Sequence, residues 1–128
     1  MAHKLRDLAQ DASTRSHSPY SKAKVGSAVV TEDGTVFKGC NIENSSFGGT
    51  VCAERVAIWK AVSEGHQSIK SIYVYTKDGW PPCGMCLQVM TEFAGPDLEI
   101  TFGNEKGVET TKKLKELLTH AFTPEHLK

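Results

Sequence analysis

The sequence has no apolar run long enough to span a membrane and no apolar signal segment at its N-terminus. It also has no excess of either charge, because 15 lysine and arginine residues balance 15 aspartate and glutamate residues. A chain without a basic field has no electrostatic means of holding a phosphate backbone. We therefore expect a soluble cytoplasmic protein that binds neither a membrane nor nucleic acid.

Internal repeats and low-complexity segments are absent as well, and cysteine is scarce. A length of 128 residues is enough for one core and too short for two, so residues 1–128 are predicted to form a single domain. The four cysteines occur without a secretion signal, which favours reduced thiols over a disulfide framework. Metal ligation is then a better explanation for the cysteines than disulfide bonding is.

Hydrophobic periodicity predicts strands interleaved with helices, which is typical of a layered α/β sheet. An early β-hairpin, with its turn at residues 32–35, makes the sheet mixed rather than all parallel. The predicted helices are 2–14, 52–63, a segment that opens at 81–86 and stops at 95–96, and 112–118. The predicted strands are 24–30, 36–42, 69–75, 98–102 and a short fifth segment around Val108.

A cysteine and a carboxylate stand two residues apart at the predicted start of the second helix. Cys52 and Glu54 fall in its first turn, and Thr50 is placed to cap it. A cysteine thiolate is a zinc ligand, and a carboxylate beside it can carry protons. A single cysteine is more often a small buried hydrophobe, so this pair alone does not identify a metal site.

A second motif supplies two more cysteines. Cys83 and Cys86 follow a Pro-Pro pair at the start of another apolar helix, with a spacing that lets both sulfurs reach one metal. Three thiolates describe an open zinc site, because catalytic zinc takes three protein ligands and leaves its fourth position to water. Cys40 has no such partner spacing and is predicted to lie in the core.

The charge of this predicted site needs compensation. Three thiolates carry more negative charge than one zinc ion neutralises, so helix N-termini and a cation, with Arg55 as the candidate, should lie close by. Thiolates also make zinc a poorer Lewis acid, so a general base is needed beside it. Glu54 is predicted to be that base. It can also be a first-turn carboxylate favoured by the helix dipole, and the two roles are compatible.

A Cys or His, a Glu two residues later and a distant Pro-Cys-x-x-Cys form the signature of zinc deaminases. Other segments occur in the order of one family: Pro19–Ser21, Val25–Ala28, Gly39–Asn44, Leu117–Leu118 and Phe122. On these motifs the chain resembles the cytidine deaminases of the small, three-cysteine, homotetrameric type, over nearly its whole length. The resemblance implies a single catalytic domain with a three-layer α/β/α fold around a mixed, five-stranded sheet.

The resemblance also implies an activity. It predicts a pyrimidine-salvage enzyme with one Zn²⁺ per chain that hydrolyses cytidine and 2′-deoxycytidine to uridine and 2′-deoxyuridine and releases ammonia. Cys52, Cys83 and Cys86 would hold the zinc, and Glu54 would carry the protons. The expected partners are a small-molecule nucleoside and three further copies of the chain, which form a homotetramer with pockets between subunits.

Substrate contacts are likewise implied residue by residue. In the family, an amide and a carboxylate that correspond to Asn41 and Glu43 hold the ribose, and alternate positions at a strand end do project to one side. From the residues alone, these two could equally be a turn residue and a solvated charge. The resemblance further assigns the backbone N–H of Ala53 and the backbone C=O of Pro81 to the base. Tyr20 and Phe122 are candidate pocket residues from neighbouring subunits.

Two positions depart from the family pattern. Ala23 stands where members commonly have a Phe that walls the nucleoside pocket, so we expect looser packing of the base. Leu87 stands where members commonly have an Arg, so Arg55 is expected to carry most of the charge compensation. Neither position is a predicted ligand or the predicted base.

Other interpretations stay open at this point. A deaminase of the same fold could act on another aminopyrimidine nucleoside, such as a nucleoside antibiotic. A polynucleotide-editing deaminase is disfavoured by the balanced charge. A non-enzymatic domain stabilised by structural zinc would need a fourth ligand. His66 is the nearest histidine to the first motif, but it follows the predicted helix terminator Gly65 and should lie at the far end of the helix.

Overall fold

The computed structural model describes residues 2–128, with side chains described from Lys4 onward. Within this part a five-stranded sheet has the order β2-β1-β3-β4-β5. The strands are β1 Gly26–Thr31, β2 Val36–Cys40, β3 Ile69–Tyr75, β4 Glu99–Gly103 and β5 Glu109–Lys113. Only β3 and β4 pair in parallel, and the other neighbours pair antiparallel. The predicted mixed sheet is confirmed.

Helices cover both faces of this sheet. They are α1 Ala2–Ser13, α2 Ala53–Ser63, α3 Gly84–Phe93 and α4 Leu114–Leu117, with short 3₁₀ turns at Phe47–Gly49 and Pro124–Leu127. One buried cluster lies between α1 and the sheet, and a larger one lies between the sheet and α2, α3 and α4. The predicted three-layer arrangement is confirmed. None of the helices in residues 2–128 combines the length and apolar character that a membrane crossing requires.

The two clusters follow from the alternation of side chains along the central strands. In β1, Ala28 and Val30 contact the α1 layer, whereas Val29 contacts the opposite layer. In β3, Tyr73 faces α1 and Ile72 faces the other helices. Because both faces of these strands are buried, β1 and most of β3 carry small or β-branched residues rather than an apolar–polar alternation.

Two glycines allow the helices to lie close to the sheet. A Cβ atom on Gly26 would collide with the carbonyl oxygen of Ala9 in α1. A Cβ atom on Gly39 in β2 would lie 2.7 Å from the carbonyl oxygen of Ala53, at the first residue of α2. The end of α2 that carries Cys52 is therefore seated directly against the sheet backbone.

Three local predictions need correction. The last helix was predicted over 112–118, but Lys112 and Lys113 pair with β4 and belong to β5, so α4 begins only at Leu114. Tertiary pairing with an open strand edge overrides the local helical pattern there. The hydroxyl of Thr50 accepts a hydrogen bond from the backbone N–H of Asn44 rather than capping α2. Cys40, predicted as core, is only half-buried.

Candidate metal centre

Two helix N-termini meet at the cysteines. Cys52 is the N-cap residue of α2, and its carbonyl oxygen accepts the first helical hydrogen bond from Val56. Cys83 is the N-cap residue of α3, where its carbonyl accepts from Leu87 in the same way. Cys86 lies one turn later on α3 and is fully buried. Neither N-cap side chain caps its own helix, so both sulfurs are free to point at a common centre.

The three sulfurs fit a zinc ion. All lie within 4.8 Å of one another, and the Sγ atoms of Cys52 and Cys83 are 3.7 Å apart. Zinc–sulfur bonds of about 2.3 Å in tetrahedral geometry place two sulfurs roughly 3.8 Å apart. Within the part of the chain whose side chains are described, no histidine or carboxylate joins this group. His66 instead pairs with Asp33 at 3.3 Å and packs on Phe37.

The protonation of the sulfurs also points to a cation. A hydrogen bond from the Cys86 thiol, followed by one from Arg55, lowers the pKa of Cys52 to about 5. The same hydrogen bond to Cys52, together with burial, raises the pKa of Cys86 well above its ordinary value. Cys86 therefore holds its proton beside the Cys52 thiolate in the absence of a metal ion. A bound dication such as Zn²⁺ would supply the positive charge that favours three thiolates at this centre.

Positive charge reaches the sulfurs from the protein as well. The N-termini of α2 and α3 present unpaired backbone N–H groups toward them. Arg55, only 9% exposed, donates from Nη2 to the sulfur of Cys52 at 3.4 Å. Leu87 is buried in the larger core cluster, so position 87 contributes packing rather than charge.

Glu54 lies in the first turn of α2, between a predicted ligand and the arginine. Its side chain is only 3% exposed. Burial raises its pKa to about 7, the neighbouring Cys52 thiolate adds to this, and Arg55 opposes it. A carboxyl group with a pKa near neutrality can both accept and release a proton at physiological pH, which is what general acid–base catalysis requires.

Asn41 lies just after β2 and fastens the loop that joins α1 to β1. Its Oδ1 accepts hydrogen bonds from the Ser16 hydroxyl at 2.5 Å and from the backbone N–H of Val25 at 3.0 Å. Its Nδ2 donates to the carbonyl of Ala23 at 2.8 Å. Asn41 is buried, with 8% of its surface exposed. This leaves one amide hydrogen for any further partner.

Glu43 holds the same loop at its tip. One carboxylate oxygen accepts from the backbone N–H groups of Tyr20 at 3.0 Å and Ser21 at 3.1 Å, and the other accepts from the Ser21 hydroxyl. The Ser21 hydroxyl is the main reason that the pKa of Glu43 lies below its ordinary value. Asn41 and Glu43 therefore face one loop together, as the alternation of positions predicts, and both already bind protein groups there.

The remaining predicted residues lie in varied surroundings. Ala53 is fully buried at the start of α2, whereas Pro81 is exposed. Tyr20 is 52% exposed and meets Phe47 edge-on, with ring centroids 5.5 Å apart. Phe122 is 56% exposed and stacks on His126. These two exposed aromatic rings have apolar area to spare for a further partner.

A cavity of about 410 Å³ lies beside the loop that Asn41 and Glu43 hold. Ala23 and Trp80 are among its lining residues, along with Lys22 and Tyr75. A phenylalanine at position 23 would reach farther than the methyl group of alanine does.

Sequence reasoning missed two contacts. Met85 lies between Cys83 and Cys86, and its sulfur accepts a hydrogen bond from Nη1 of Arg55 at 2.9 Å. Ser21 ends the motif Pro19–Ser21, and it supplies two of the three hydrogen bonds to Glu43. The position of Met85 inside the ligand motif was the available signal, whereas the role of Ser21 depends on a loop conformation that no local pattern encodes.

Comparison with known proteins identifies the family of this chain. The family model described as "Cytidine and deoxycytidylate deaminase zinc-binding region" matches residues 1–101, well over half of the sequence. The chain belongs to this family. As a member of the deaminase family it is an enzyme that uses zinc, and the predicted family, fold class and cofactor are confirmed.

Individual relatives agree with this placement. A cytidine deaminase of Halalkalibacterium halodurans is 46% identical over 111 residues, which cover 85% of this chain and 84% of the relative. The crystal structure of cytidine deaminase from Burkholderia pseudomallei is 40% identical with a TM-score of 0.92, covering 95% of this chain and 99% of that one. A blasticidin-S deaminase of Bacillus cereus is more distant, at 31% identity over 113 residues, with 80% and 79% coverage.

Proposed function

We propose that this deaminase hydrolyses cytidine and 2′-deoxycytidine to uridine and 2′-deoxyuridine and releases ammonia. The observation that carries the proposal is the three-sulfur cluster beside a buried carboxyl group of raised pKa. The two relatives named as cytidine deaminases are more similar to this chain than the blasticidin-S deaminase is. The whole chain, residues 1–128, is proposed to be one catalytic domain.

Cys52, Cys83 and Cys86 would hold the zinc ion through their thiolates. When bound, zinc would supply the Lewis acidity that activates a water molecule for attack on C4 of the pyrimidine. Glu54 accepts a proton from that water and delivers it to N3 of the ring. It then moves the proton of the hydroxyl group added at C4 to the exocyclic amino group, which leaves as ammonia as the C4 carbonyl forms. A buried carboxyl group with a pKa of about 7 suits both transfers, because it can gain and lose a proton near neutral pH.

Recognition of the nucleoside is proposed to use backbone and side-chain groups around this centre. The N–H of Ala53 lies in the unpaired first turn of α2 and can donate to the pyrimidine carbonyl. The C=O of Pro81 can accept from the exocyclic amine, and proline is no obstacle because only its carbonyl is used. Asn41 and Glu43 would hold the ribose with the acceptor and donor capacity that their loop contacts leave.

The assembly is proposed to be a homotetramer whose pockets lie between subunits. Tyr20 and Phe122 would each reach the pocket of a neighbouring copy, which is consistent with their exposed rings. We place the enzyme in the cytoplasm and in pyrimidine salvage, where free nucleosides are its substrates. Sedimentation analysis of the purified protein tests the tetramer: a monomer at micromolar concentration would contradict it.

A substrate panel tests the activity. Ammonia release would be measured with cytidine, 2′-deoxycytidine, cytidine 5′-monophosphate, free cytosine and an aminopyrimidine nucleoside antibiotic. Cytidine and deoxycytidine should react with the highest kcat/KM, and free cytosine should react poorly because the sugar contacts are lost. Faster turnover of the antibiotic than of cytidine would instead support the second candidate, a nucleoside-antibiotic deaminase. The similarity to the blasticidin-S deaminase of Bacillus cereus is the observation that favours that candidate.

A further inference from the structure

The guanidinium of Arg55 is held between the two helices that carry the sulfurs. Its Nη2 donates to the sulfur of Cys52 on the α2 side, at 3.4 Å. Its Nη1 donates to the sulfur of Met85 on the α3 side, at 2.9 Å. The ring of Trp59, one turn farther along α2, lies 5.7 Å from the guanidinium carbon. The third nitrogen of Arg55, Nε, is buried without a hydrogen-bond partner.

Hydrophobic burial does not explain why a methionine occupies position 85. It is the second residue of α3, between Cys83 and Cys86, and its side chain is 61% exposed. An exposed methionine contributes little to a core, whereas a thioether sulfur can accept a hydrogen bond. The hydrogen bond from Arg55 is therefore the specific interaction that Met85 makes in this structure.

The chemistry of the acceptor suits this place. An aspartate or glutamate at position 85 would bind the arginine more strongly, but it would also neutralise the guanidinium and add a negative charge beside three thiolates. A thioether is neutral, so it fixes the guanidinium and leaves its positive charge available to Cys52. Trp59 acts similarly, because an aromatic face attracts a cation without cancelling its charge.

We propose that Met85 is a positioning residue: its sulfur holds Arg55 against Cys52 and thereby keeps positive charge on the thiolate cluster. The inference rests on the proposed function for its effect on turnover, but not for its effect on zinc retention. Because Arg55 then links α2 to α3, loss of the Met85 sulfur should loosen the arginine while leaving all three ligands and Glu54 in place.

The test uses the zinc-loaded protein and four variants. Met85→Leu keeps a similar apolar volume and removes the acceptor, Met85→Gln restores an acceptor oxygen, and Arg55→Gln removes the cation. The fourth variant combines Met85→Leu with Arg55→Gln. The rate of zinc loss to an excess of a chromogenic chelator is measured for each, together with kcat and KM for cytidine and the thermal midpoint. Leu127→Gln, a change at another exposed apolar residue, serves as the control.

Mutation of a residue that contacts a metal ligand typically changes metal affinity or activity by about 10–100-fold. Met85 acts through Arg55, so Met85→Leu should accelerate zinc loss by about tenfold, at the lower end of that range. It should reduce kcat more than it changes KM, and Met85→Gln should recover most of both losses. In the Arg55→Gln background, Met85→Leu should have no further effect, because a residue that acts through Arg55 has nothing left to position.

Two results would overturn the proposal. One is wild-type zinc loss in Met85→Leu, and the other is an equal effect of that change with and without Arg55. A lowered thermal midpoint in Met85→Leu without faster zinc loss would show a merely structural role and would also count against it. If the wild-type protein fails to deaminate cytidine, the proposed function is wrong, yet the zinc-loss measurements still decide the role of Met85.

Discussion

A Cβ atom on Gly39 would lie 2.6 Å from the backbone nitrogen of Ala57, closer than real Cβ atoms approach other atoms. Gly39 is in β2 and Ala57 is in α2, so this pair fixes how closely the ligand-bearing helix approaches the sheet. The two nearest neighbours of the missing Cβ are backbone atoms, which cannot turn aside as a flexible side chain can. Because Gly39 has no side chain, the helix that follows Cys52 can pack directly against the sheet.

Gly39→Ala should therefore destabilise the protein. Forcing a methyl group into a packed contact costs typically about 1–3 kcal/mol, and the shift of α2 should also lower deaminase turnover. Urea denaturation gives the free energy of unfolding. Gly95→Ala is the matched control, because a Cβ there meets nothing within 4 Å. An equal, small effect of both changes would show that α2 can move away from the sheet without loss.

The metal centre is tested by removing one sulfur. Purified wild-type protein should hold about one zinc per chain, with an X-ray absorption spectrum that shows three sulfur neighbours and one lighter atom. Cys86→Ala should lose most of its zinc affinity, whereas Cys40→Ala, which changes the half-buried cysteine of β2, should keep it. Four sulfur neighbours, or full zinc affinity in Cys86→Ala, would contradict the proposed ligand set.

Glu54 should be dispensable for zinc and essential for turnover. Glu54→Gln keeps the shape of the side chain and removes its ability to carry protons. General acid–base catalysis contributes about 10²–10⁴-fold, and the proposed mechanism assigns both proton transfers to Glu54, so we expect a loss at the upper end of that range. Zinc content and cytidine turnover are measured together, with Glu64→Gln at the exposed end of α2 as control. Turnover within about tenfold of wild type in a zinc-loaded Glu54→Gln would remove Glu54 from this role.

Glu43 should act on substrate binding through the loop it holds. Glu43→Gln removes the charge that three donors from Tyr20 and Ser21 share. We expect KM for cytidine to rise severalfold with a smaller fall in kcat, since the proposed ribose contact would weaken while the metal centre stays unchanged. Glu32→Gln in the exposed hairpin turn is the control. A fall in kcat with unchanged KM would place Glu43 in the chemistry rather than in nucleoside binding.

Periodicity and turn residues predicted most of the fold. β3 was predicted at its observed bounds, 69–75, because β-branched residues and flanking turns mark it clearly. The end of the chain was predicted less well, since β5 exists only by pairing with β4 and all five of its side chains are exposed. A strand with no buried face leaves no hydrophobic pattern to detect.

Leu87 shows the same limit at the site. The family resemblance marked position 87 as one where members commonly have an arginine that would compensate the charge of the sulfurs. The structure buries it at 6% exposure in the core cluster. An arginine introduced there without other changes would have to leave the apolar layer or remain buried, which is unfavourable for an unpaired charge.

The sequence by itself predicted the ligand set and the proton carrier that we propose, because Cys83 and Cys86 lie within one helical turn and Glu54 follows Cys52 by two residues. Such short spacings fix which groups share a turn, whatever the rest of the chain does. The tertiary structure decided that the two helix N-termini meet, with sulfurs of Cys52 and Cys83 at 3.7 Å, and that Arg55 lies between them against Met85. These contacts join residues about 30 positions apart. They depend on how closely each helix packs on the sheet, which local spacing does not encode.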